Sequence, residues 1–353
     1  MTTTDRAKLH EFIGRMIGYL SGSAACFGIW LGDELGLYRA LASGPQTADD
    51  LAAHTECNPR LVREWLDAQA AAKLISYDPE TDTYALSLEG AIALADESSP
   101  VFTARGMNAL GSMYMDIEKI KAAFKGDGAL AWGEHHPCLF KGTEWLFRTG
   151  FRAHLPGEWI PALDGVEEKL RSGARVADIG CGHGAAVIVM AEAYPHSEFW
   201  GFDYHEPSIE TARQRAREAG VADRARFEVA GAKDYSGTFD LVCFFDCLHD
   251  MGDPVGVAAH AREHLEAHGT VLLVEPFALD GREVNQRDNP MAVLSYTAST
   301  AVCTPNSLSQ EVGLALGAQA GEARLRETFA EAGFSRFRRA AETTMNLVLE
   351  ARP

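Results

Sequence analysis

The sequence has no CxxC pair, no internal repeat and no low-complexity segment in its 353 residues. Its seven cysteines are scattered, which argues against a disulfide framework or a zinc site built on thiolates. We therefore expect a reducing, cytoplasmic location and no bound metal. Basic residues are in deficit, since 32 Lys and Arg face 50 Asp and Glu, for a net charge of −18. Such a chain repels polyanions, so we expect neither nucleic acid nor an acidic membrane as a partner.

The N-terminus also lacks the basic and then apolar segments of a secretory signal peptide. One apolar stretch, residues 16–32, carries no charge for 17 residues and is interrupted by four glycines, so it is short for a bilayer span. We interpret it as a helix buried against protein, because a helix that is apolar on most sides needs a covering surface. We expect a second subunit to supply that surface and predict a homodimer.

Hydrophobic residues make up 46% of the chain and charged residues 23%, which is typical of a globular protein with a large core. The length predicts two domains. We place a mainly helical N-terminal domain at 1–155 and an α/β domain at 156–353.

Residues 41–90 are typical of a winged helix. Thr47 can cap one helix, and Asn58 followed by proline opens a second, with Leu61, Trp65, Ala68 and Leu74 toward one side. Two short strands around a polar turn follow. The segment carries three basic and nine acidic residues, which disfavours DNA binding.

From residue 174 onward, strand-like and helix-like segments alternate. This alternation predicts an α/β fold with a parallel sheet that is covered by helices on both faces. The predicted strands are ARVADIG, EFWGFD, RFEVAG, FDLVCFF and GTVLLVEP, followed by a closing pair, SRFRRAAET and MNLVLEAR.

A glycine-rich turn, DIGCGHG at 178–184, follows the first of these strands and opens a helix. Its glycines allow a tight turn with the backbone close to a ligand. Asp178 begins the turn, and Asp203 ends the next strand, where a carboxylate suits ribose hydroxyls. The alternatives are a purely structural turn and a dinucleotide site. The dinucleotide site fits less well, because Ala185 stands where a third glycine is expected.

Three segments, VADIGCGHG, GFDYHEPSIETA and FDLVCFFDCLHDM, together resemble the class I S-adenosylmethionine-dependent methyltransferases. The resemblance covers about residues 160–353. It implies a Rossmann-like sheet of seven strands whose last two form an antiparallel hairpin, and S-adenosyl-L-methionine as the cofactor. It also implies that Gly180 and Gly182 approach the methionine end of the cofactor. Asp203 would hold the ribose diol, and Tyr204 would pack on the adenine.

The segment after the third strand departs from this family. Gly231 stands where an acid that contacts adenine N6 is common. The adenine would then be read by the backbone around Ala232 and Lys233, or by Asp234. We include Gly231, Ala232 and Lys233, together with Phe245, among the expected cofactor-binding residues.

His249 follows the fourth strand, at the edge of the sheet where open parallel sheets bind ligands. This segment resembles the small-molecule O-methyltransferases that carry an N-terminal winged helix. In that group the matching histidine deprotonates an acceptor hydroxyl, a role that suits a side chain titrating near neutrality. The alternative, that His249 only positions its loop, stays open.

Two acids orient this histidine in the resembled group. Glu275 matches the acid at the end of the fifth strand, whereas Gln319 replaces the second acid. A histidine with one fewer carboxylate neighbour should be less basic. We predict His249 and Glu275 as the catalytic residues.

Two histidine clusters are discounted as metal sites. His260, His264 and His268 have helical spacing and include an HxxEH pattern, but we interpret them as a solvated helix face. The pair at 135–136 lacks a complete ligand set.

We predict an S-adenosylmethionine-dependent methyltransferase that acts on a small, largely apolar acceptor, with O-methylation favoured. The N-terminal domain would support dimerisation and form one wall of the acceptor pocket. A cofactor-binding transcriptional regulator with little catalysis is one alternative, and an enzyme of the same fold with other chemistry is another.

Overall fold

The computed structural model describes residues 5–353, which form two compact units interleaved along the chain. The first unit comprises the chain up to Gly111 together with Lys141–Thr149. The second comprises Ser112–Phe140 and Gly150–Pro353. The division into folding domains 1–155 and 156–353 stays a prediction.

The described chain is mainly helical up to Ser172, and strands and helices alternate from Arg175 to Pro276. The helices are α1 (Arg6–Glu34), α2 (Leu37–Leu41), α3 (Ala48–His54), α4 (Pro59–Ala71), α5 (Leu88–Leu94), α6 (Met107–Met115), α7 (Ile117–Lys125), α8 (Cys138–His154), α9 (Val166–Ser172), α10 (Ala185–Ala193), α11 (Glu206–Glu218), α12 (Pro254–Glu263), α13 (Arg282–Asp288), α14 (Ala292–Ala298), α15 (Thr304–Leu308) and α16 (Gly321–Glu331). The strands are β1 (Ser76–Asp78), β2 (Thr83–Ala85), β3 (Arg175–Ile179), β4 (Glu198–Asp203), β5 (Ala225–Val229), β6 (Phe239–Phe245), β7 (Leu265–Pro276), β8 (Arg336–Glu342) and β9 (Asn346–Arg352). Short 3₁₀ turns lie at Ala104–Gly106, Trp132–Glu134 and Leu248–Asp250, and single π-helical turns lie at Leu155–Trp159 and Ser299–Cys303.

The first unit contains the predicted winged helix. Thr47 caps α3 by accepting a hydrogen bond from the Asp50 backbone N–H, and Asn58 caps α4. The strands β1 and β2 form the antiparallel hairpin that follows α4. The caps and the hairpin are therefore confirmed.

The predicted apolar face of α4 is partly wrong. Trp65 is buried, but Leu61 is 69% exposed and Ala68 is exposed as well. The buried face instead carries Val62, Trp65, Leu66 and Gln69. Gln69 is tolerated inside because it accepts a hydrogen bond from the buried Tyr38 hydroxyl.

The apolar run at 16–32 lies in α1, whose last turns alone pack closely on other helices of the first unit. The Trp65 indole N–H donates to the Gly28 carbonyl, and a Cβ at Gly32 would lie 2.4 Å from the Trp65 ring. Small residues therefore do permit close helix approach there. The chain itself does not supply the covering surface, because most of the large apolar side chains of the run are exposed. These are Met16, Ile17, Tyr19, Leu20, Phe27 and Leu31.

In the described residues 5–353, α1 is the one helix that is long and apolar enough to cross a membrane by length and composition. Only 11% of its apolar window is buried. A single helix of this kind is weak evidence for a membrane span, since exposed apolar helices also mark protein interfaces.

The second unit is built on a seven-stranded sheet in the order β5-β4-β3-β6-β7-β9-β8. The pairs from β5 to β7 are parallel, and β9 is antiparallel to both β7 and β8. This confirms the predicted sheet and its closing hairpin.

Burial on both faces explains why the parallel strands could be recognised as continuous apolar runs. The β6 side chains Leu241 to Phe245 are all buried, as are Val271 to Val274 of β7. In the parallel register, Ile179 pairs with both Phe202 and Phe244. The carboxyl ends of β3, β4 and β6 therefore lie side by side, and the residues that follow them meet at one edge of the sheet.

Candidate active site

The glycine turn leaves β3 and runs alongside the end of β4. The backbone N–H groups of Gly180 and Cys181 both donate to the Phe202 carbonyl. Gly180 has a φ of 75°, and a Cβ there would lie 3.1 Å from the Cys247 sulfur. Gly182 has a φ of 51° and open space where a side chain would begin. The turn thus needs glycine at both positions and leaves room for a ligand at the second.

Asp203 connects the end of β4 to this turn. Its Oδ2 accepts a hydrogen bond from the Gly182 N–H at 2.9 Å, and its Oδ1 accepts one from the His205 N–H at 2.8 Å. Each carboxylate oxygen keeps a second lone pair for a ligand hydroxyl. Burial raises the pKa of Asp203, but the two backbone N–H groups oppose this by stabilising the charged form.

Asp178 lies at the base of the turn and is 2% exposed. Burial, together with the charge of Asp203, raises the pKa of its carboxyl well above the usual range. Among the described residues, its Oδ1 has no hydrogen-bond partner. A buried polar atom without a partner is a position that a bound ligand or water can satisfy.

The segment after β5 lacks the acid that was expected to contact the adenine, but it contains the carboxylate of Asp234. A Cβ built at Gly231 would lie 2.3 Å from the Asp234 Oδ2, so the Asp234 side chain fills the space that a residue at 231 would use. The Lys233 ammonium points elsewhere and pairs with Asp253 at 2.8 Å. Ala232 packs at the margin of the sheet core.

The two predicted aromatic residues have different surroundings. Tyr204 follows Asp203 and is 52% exposed. Phe245 is buried at the end of β6, with its ring centroid 5.0 Å from that of Phe151.

His249 and Glu275 are brought together, as the resemblance implied. The His249 Nδ1 and the Glu275 Oε2 form a short, fully buried hydrogen bond. Glu275 Oε1 accepts further hydrogen bonds from the backbone N–H groups of Leu248 at 3.0 Å and His249 at 3.3 Å. The carboxylate therefore holds both the loop and the orientation of the imidazole.

The His249 imidazole has a second neighbour, which the sequence did not indicate. The thiol of Cys303, in the π-helical turn, lies within hydrogen-bonding reach of the imidazole, and Nδ1 is already occupied by Glu275. Burial would lower the pKa of His249, but the Glu275 charge and the Cys303 thiol raise it well above its usual value. These two neighbours therefore favour the charged form of the ring, against the effect of burial.

Two further carboxylates surround the histidine. Asp246 has a φ of 50°, an uncommon conformation for this residue, and accepts hydrogen bonds from the Asn346 amide. Burial raises the pKa of Asp250 to about 7, an effect that the His249 charge opposes. Sequence reasoning missed both as site residues, although Asp250 lies within the quoted histidine-aspartate segment.

Gln319 is not brought to the histidine side chain. Its amide donates to the carbonyls of Phe277 and Ala318 and accepts from the Asn289 amide at 3.0 Å. It therefore ties the chain after β7 to the chain before α16. The backbone nearby does reach the site, since the Gly317 N–H bonds the His249 carbonyl.

The HxxEH histidines do not form the solvated helix face that we expected. The helix α12 ends at Glu263, and residue 268 lies in β7. His260 bonds the Tyr235 carbonyl, and His264 bonds the Gly237 carbonyl. Within the described residues 5–353, no group of three His, Cys, Asp or Glu side chains is arranged to hold a metal.

The reversed hairpin at the sheet edge, the glycine turn after β3 and the carboxylate ending β4 define a class I methyltransferase. The free Asp178 oxygen and the open side of Gly182 fit the predicted cofactor.

Comparison with known proteins agrees with this class. Residues 170–333 match the family described as "Methyltransferase domain", and residues 23–96 match the "Rv2258c-like winged HTH domain". Demethylspheroidene O-methyltransferase of Cereibacter sphaeroides is 29% identical over 289 residues, or 75% of this chain and 70% of that protein.

Solved structures share the fold along nearly the whole chain. Mitomycin 7-O-methyltransferase superposes with a TM-score of 0.71 at 20% identity and covers 99% of both chains. Human N-acetylserotonin methyltransferase in complex with S-adenosylmethionine gives 0.70 at 18% identity, covering 100% of this chain and 99% of that one. The chain belongs to the S-adenosylmethionine-dependent methyltransferases with an N-terminal winged helix, and S-adenosyl-L-methionine is its cofactor.

Proposed function

We propose that the protein methylates a hydroxyl of a small, largely apolar acceptor and that His249 is the general base. The observation that carries this proposal is the buried His249–Glu275 pair at the carboxyl edge of the sheet. Relatives named as O-methyltransferases of small molecules support it.

The bound cofactor supplies an electrophilic methyl group on its sulfonium. His249 would take the hydroxyl proton as the hydroxyl oxygen accepts the methyl group, the sulfonium–methyl bond would break to leave S-adenosylhomocysteine, and Glu275 would stabilise the imidazolium that results. A positioned base of this kind contributes about 10²–10⁴-fold to the rate. The buried surroundings exclude water that would compete for the methyl group.

The cofactor contacts that we propose follow the predicted residues. Asp203 accepts hydrogen bonds from the ribose hydroxyls, and Tyr204 packs on the adenine. The further residues proposed to contact the cofactor are Asp178, Gly180 and Gly182 at its methionine end, and Gly231, Ala232, Lys233 and Phe245 around the adenosine.

The acceptor search uses the enzyme with a small-molecule extract and S-adenosylmethionine that carries a ¹³C-labelled methyl group. We expect a labelled methyl ether, identified by the carbon shift of a methyl bonded to oxygen. The His249→Ala variant should not form it. Label that appears only on nitrogen or carbon, or equally with the variant, would contradict the proposal.

We also propose a cytoplasmic homodimer in which the domain 1–155 provides the interface. The exposed apolar side chains of α1 support it, because a patch of this kind is unfavourable in water. A second copy of this chain is the occupant that we propose for that surface.

A further inference from the structure

His135, which the sequence analysis set aside, has an unusual environment in the second unit. Its side chain is 2% exposed, and its Nδ1 lies 3.2 Å from the Asp116 Oδ2. The same carboxylate accepts a hydrogen bond from the His136 N–H at 2.7 Å, and its Oδ1 pairs with Lys119 at 3.0 Å. Asp116 is therefore held as an anion that fixes the imidazole.

The other nitrogen of this imidazole has no partner. The His135 Nε2 is buried and makes no hydrogen bond within the described residues. Burial lowers the pKa of His135, and the Asp116 charge opposes this only in part. The buried surroundings therefore favour the neutral form of the ring. Because Nδ1 carries the ring proton and donates a hydrogen bond to Asp116, Nε2 carries a lone pair and can only accept a hydrogen bond.

The segment 130–136, which we name the strap, connects the two halves of the active site. At one end of the site, a Cβ at Gly133 would lie 3.5 Å from the ring of His205, whose N–H bonds Asp203. At the other end, the Trp132 N–H donates to the Asn306 Oδ1 at 3.0 Å. The Asn306 amide in turn bonds the carbonyl of Asp250, beside His249. The strap thus contacts both the cofactor side and the base side.

We propose that the His135 Nε2 binds a second hydrogen-bond donor, an O–H or N–H, of the methyl acceptor. The acceptor class is then a molecule with two donors, such as a diphenol, of which one is methylated and the other is held by His135. This inference rests on the proposed function, because it assigns the ligand to the methyl acceptor.

The test is ¹⁵N NMR of the full chain, labelled at histidine and saturated with S-adenosylhomocysteine. The Nε2 signal of His135 is assigned by its loss in His135→Gln. The probes are catechol, with two hydroxyls, and veratrole, the same ring with both hydroxyls methylated. We expect the free enzyme to show an unprotonated Nε2, and catechol but not veratrole to shift it.

Three results would overturn the proposal. These are a protonated Nε2 in the free enzyme, equal shifts of the Nε2 signal with both probes, and no shift with millimolar catechol. The last result would mean that this nitrogen binds only a buried water. None of them depends on methyl transfer. Failure of the proposed function would instead appear as missing methyl ether product while the catechol shift persists.

Kinetics give a second readout once an acceptor with two donors is in hand. His135→Gln should raise the acceptor KM about tenfold, because a buried hydrogen bond is lost, and leave the KM for S-adenosylmethionine unchanged. An exposed histidine far along the sheet supplies the control, His196→Gln, which should change neither KM. Equal effects of His135→Gln on both KM values would indicate a structural role and contradict the proposal.

Discussion

At the scale of single residues, the cofactor end of the site depends on Asp203. This carboxylate orders the glycine turn through Gly182 and is proposed to hold the ribose. We expect Asp203→Ala to weaken S-adenosylhomocysteine binding by about 1.5–3 kcal/mol, the scale of hydrogen bonds to a charged group. Calorimetry measures this, with Asp223→Ala, an exposed aspartate, as the control. Unchanged affinity in Asp203→Ala would remove this carboxylate from the site.

The base side makes a prediction about pH. Only the neutral imidazole accepts a proton, so kcat/KM should rise with pH through the pKa of His249. Glu275 and Cys303 raise that pKa well above its usual value, so the rise should lie above pH ~6.5.

Glu275→Gln removes the charge that favours the imidazolium, so the pH profile of kcat/KM for this variant should move to lower pH. The maximum of kcat/KM should also be lower, because the imidazole is less firmly oriented. Rates measured across pH for both proteins check this. Coincident profiles would mean that Glu275 does not act on the base.

Contacts between residues that are distant in the sequence explain what the sequence could not predict. Glycine spacing and strand ends indicated Asp178, Gly180 and Asp203, because these features are local. Cys303 and His135 carry no local signal. Cys303 meets His249 across 54 residues of sequence, and His135 is fixed by a carboxylate 19 residues earlier.

At the scale of elements, Gln319 replaces an expected acid and joins two segments instead. Its Nε2 donates to the Phe277 carbonyl. The Gln319→Glu change would place a carboxylate oxygen against that carbonyl and would remove the donor that Gln319 supplies to the buried Ala318 carbonyl. We expect a loss of about 1–3 kcal/mol of unfolding free energy and no gain in activity. Denaturant titration measures the unfolding free energy, and the methyl-transfer assay measures the activity. A variant that is more stable or more active than the wild type would contradict this account.

The sequence predicted element boundaries best for strands whose two faces are both buried. The central strands β3, β6 and β7 are buried on both faces along most of their length, so their apolar runs identified them. In α4 the apolar pattern was ambiguous by one position, and the structure buries Val62 while it exposes Leu61. In α12 the histidine spacing suggested one long face, but the helix ends before His264, which caps it.

At the scale of the whole molecule, α1 predicts the oligomeric state. Light scattering should give twice the 38.3 kDa chain mass. Leu20→Glu with Phe27→Glu places two charges on exposed positions of α1 and should yield a folded monomer. Leu61→Glu, also at an exposed leucine but outside α1, is the matched control and should remain dimeric.

A wild-type monomer at micromolar concentration would contradict the dimer. A sedimentation assay with lipid vesicles tests the other possible cover of α1. If the wild-type protein sediments with the vesicles and the double variant does not, α1 is covered by a membrane instead.

The central claim is that His249 acts as the base of methyl transfer. The most direct test compares turnover of wild type and His249→Ala under saturating S-adenosylmethionine, with cofactor affinity measured on both by calorimetry. We predict a turnover at least about 100-fold lower in the variant and nearly unchanged S-adenosylhomocysteine affinity, because the base acts only as the acceptor proton leaves. Equal turnover in the two proteins would show that catalysis needs no base at this position and would contradict the account.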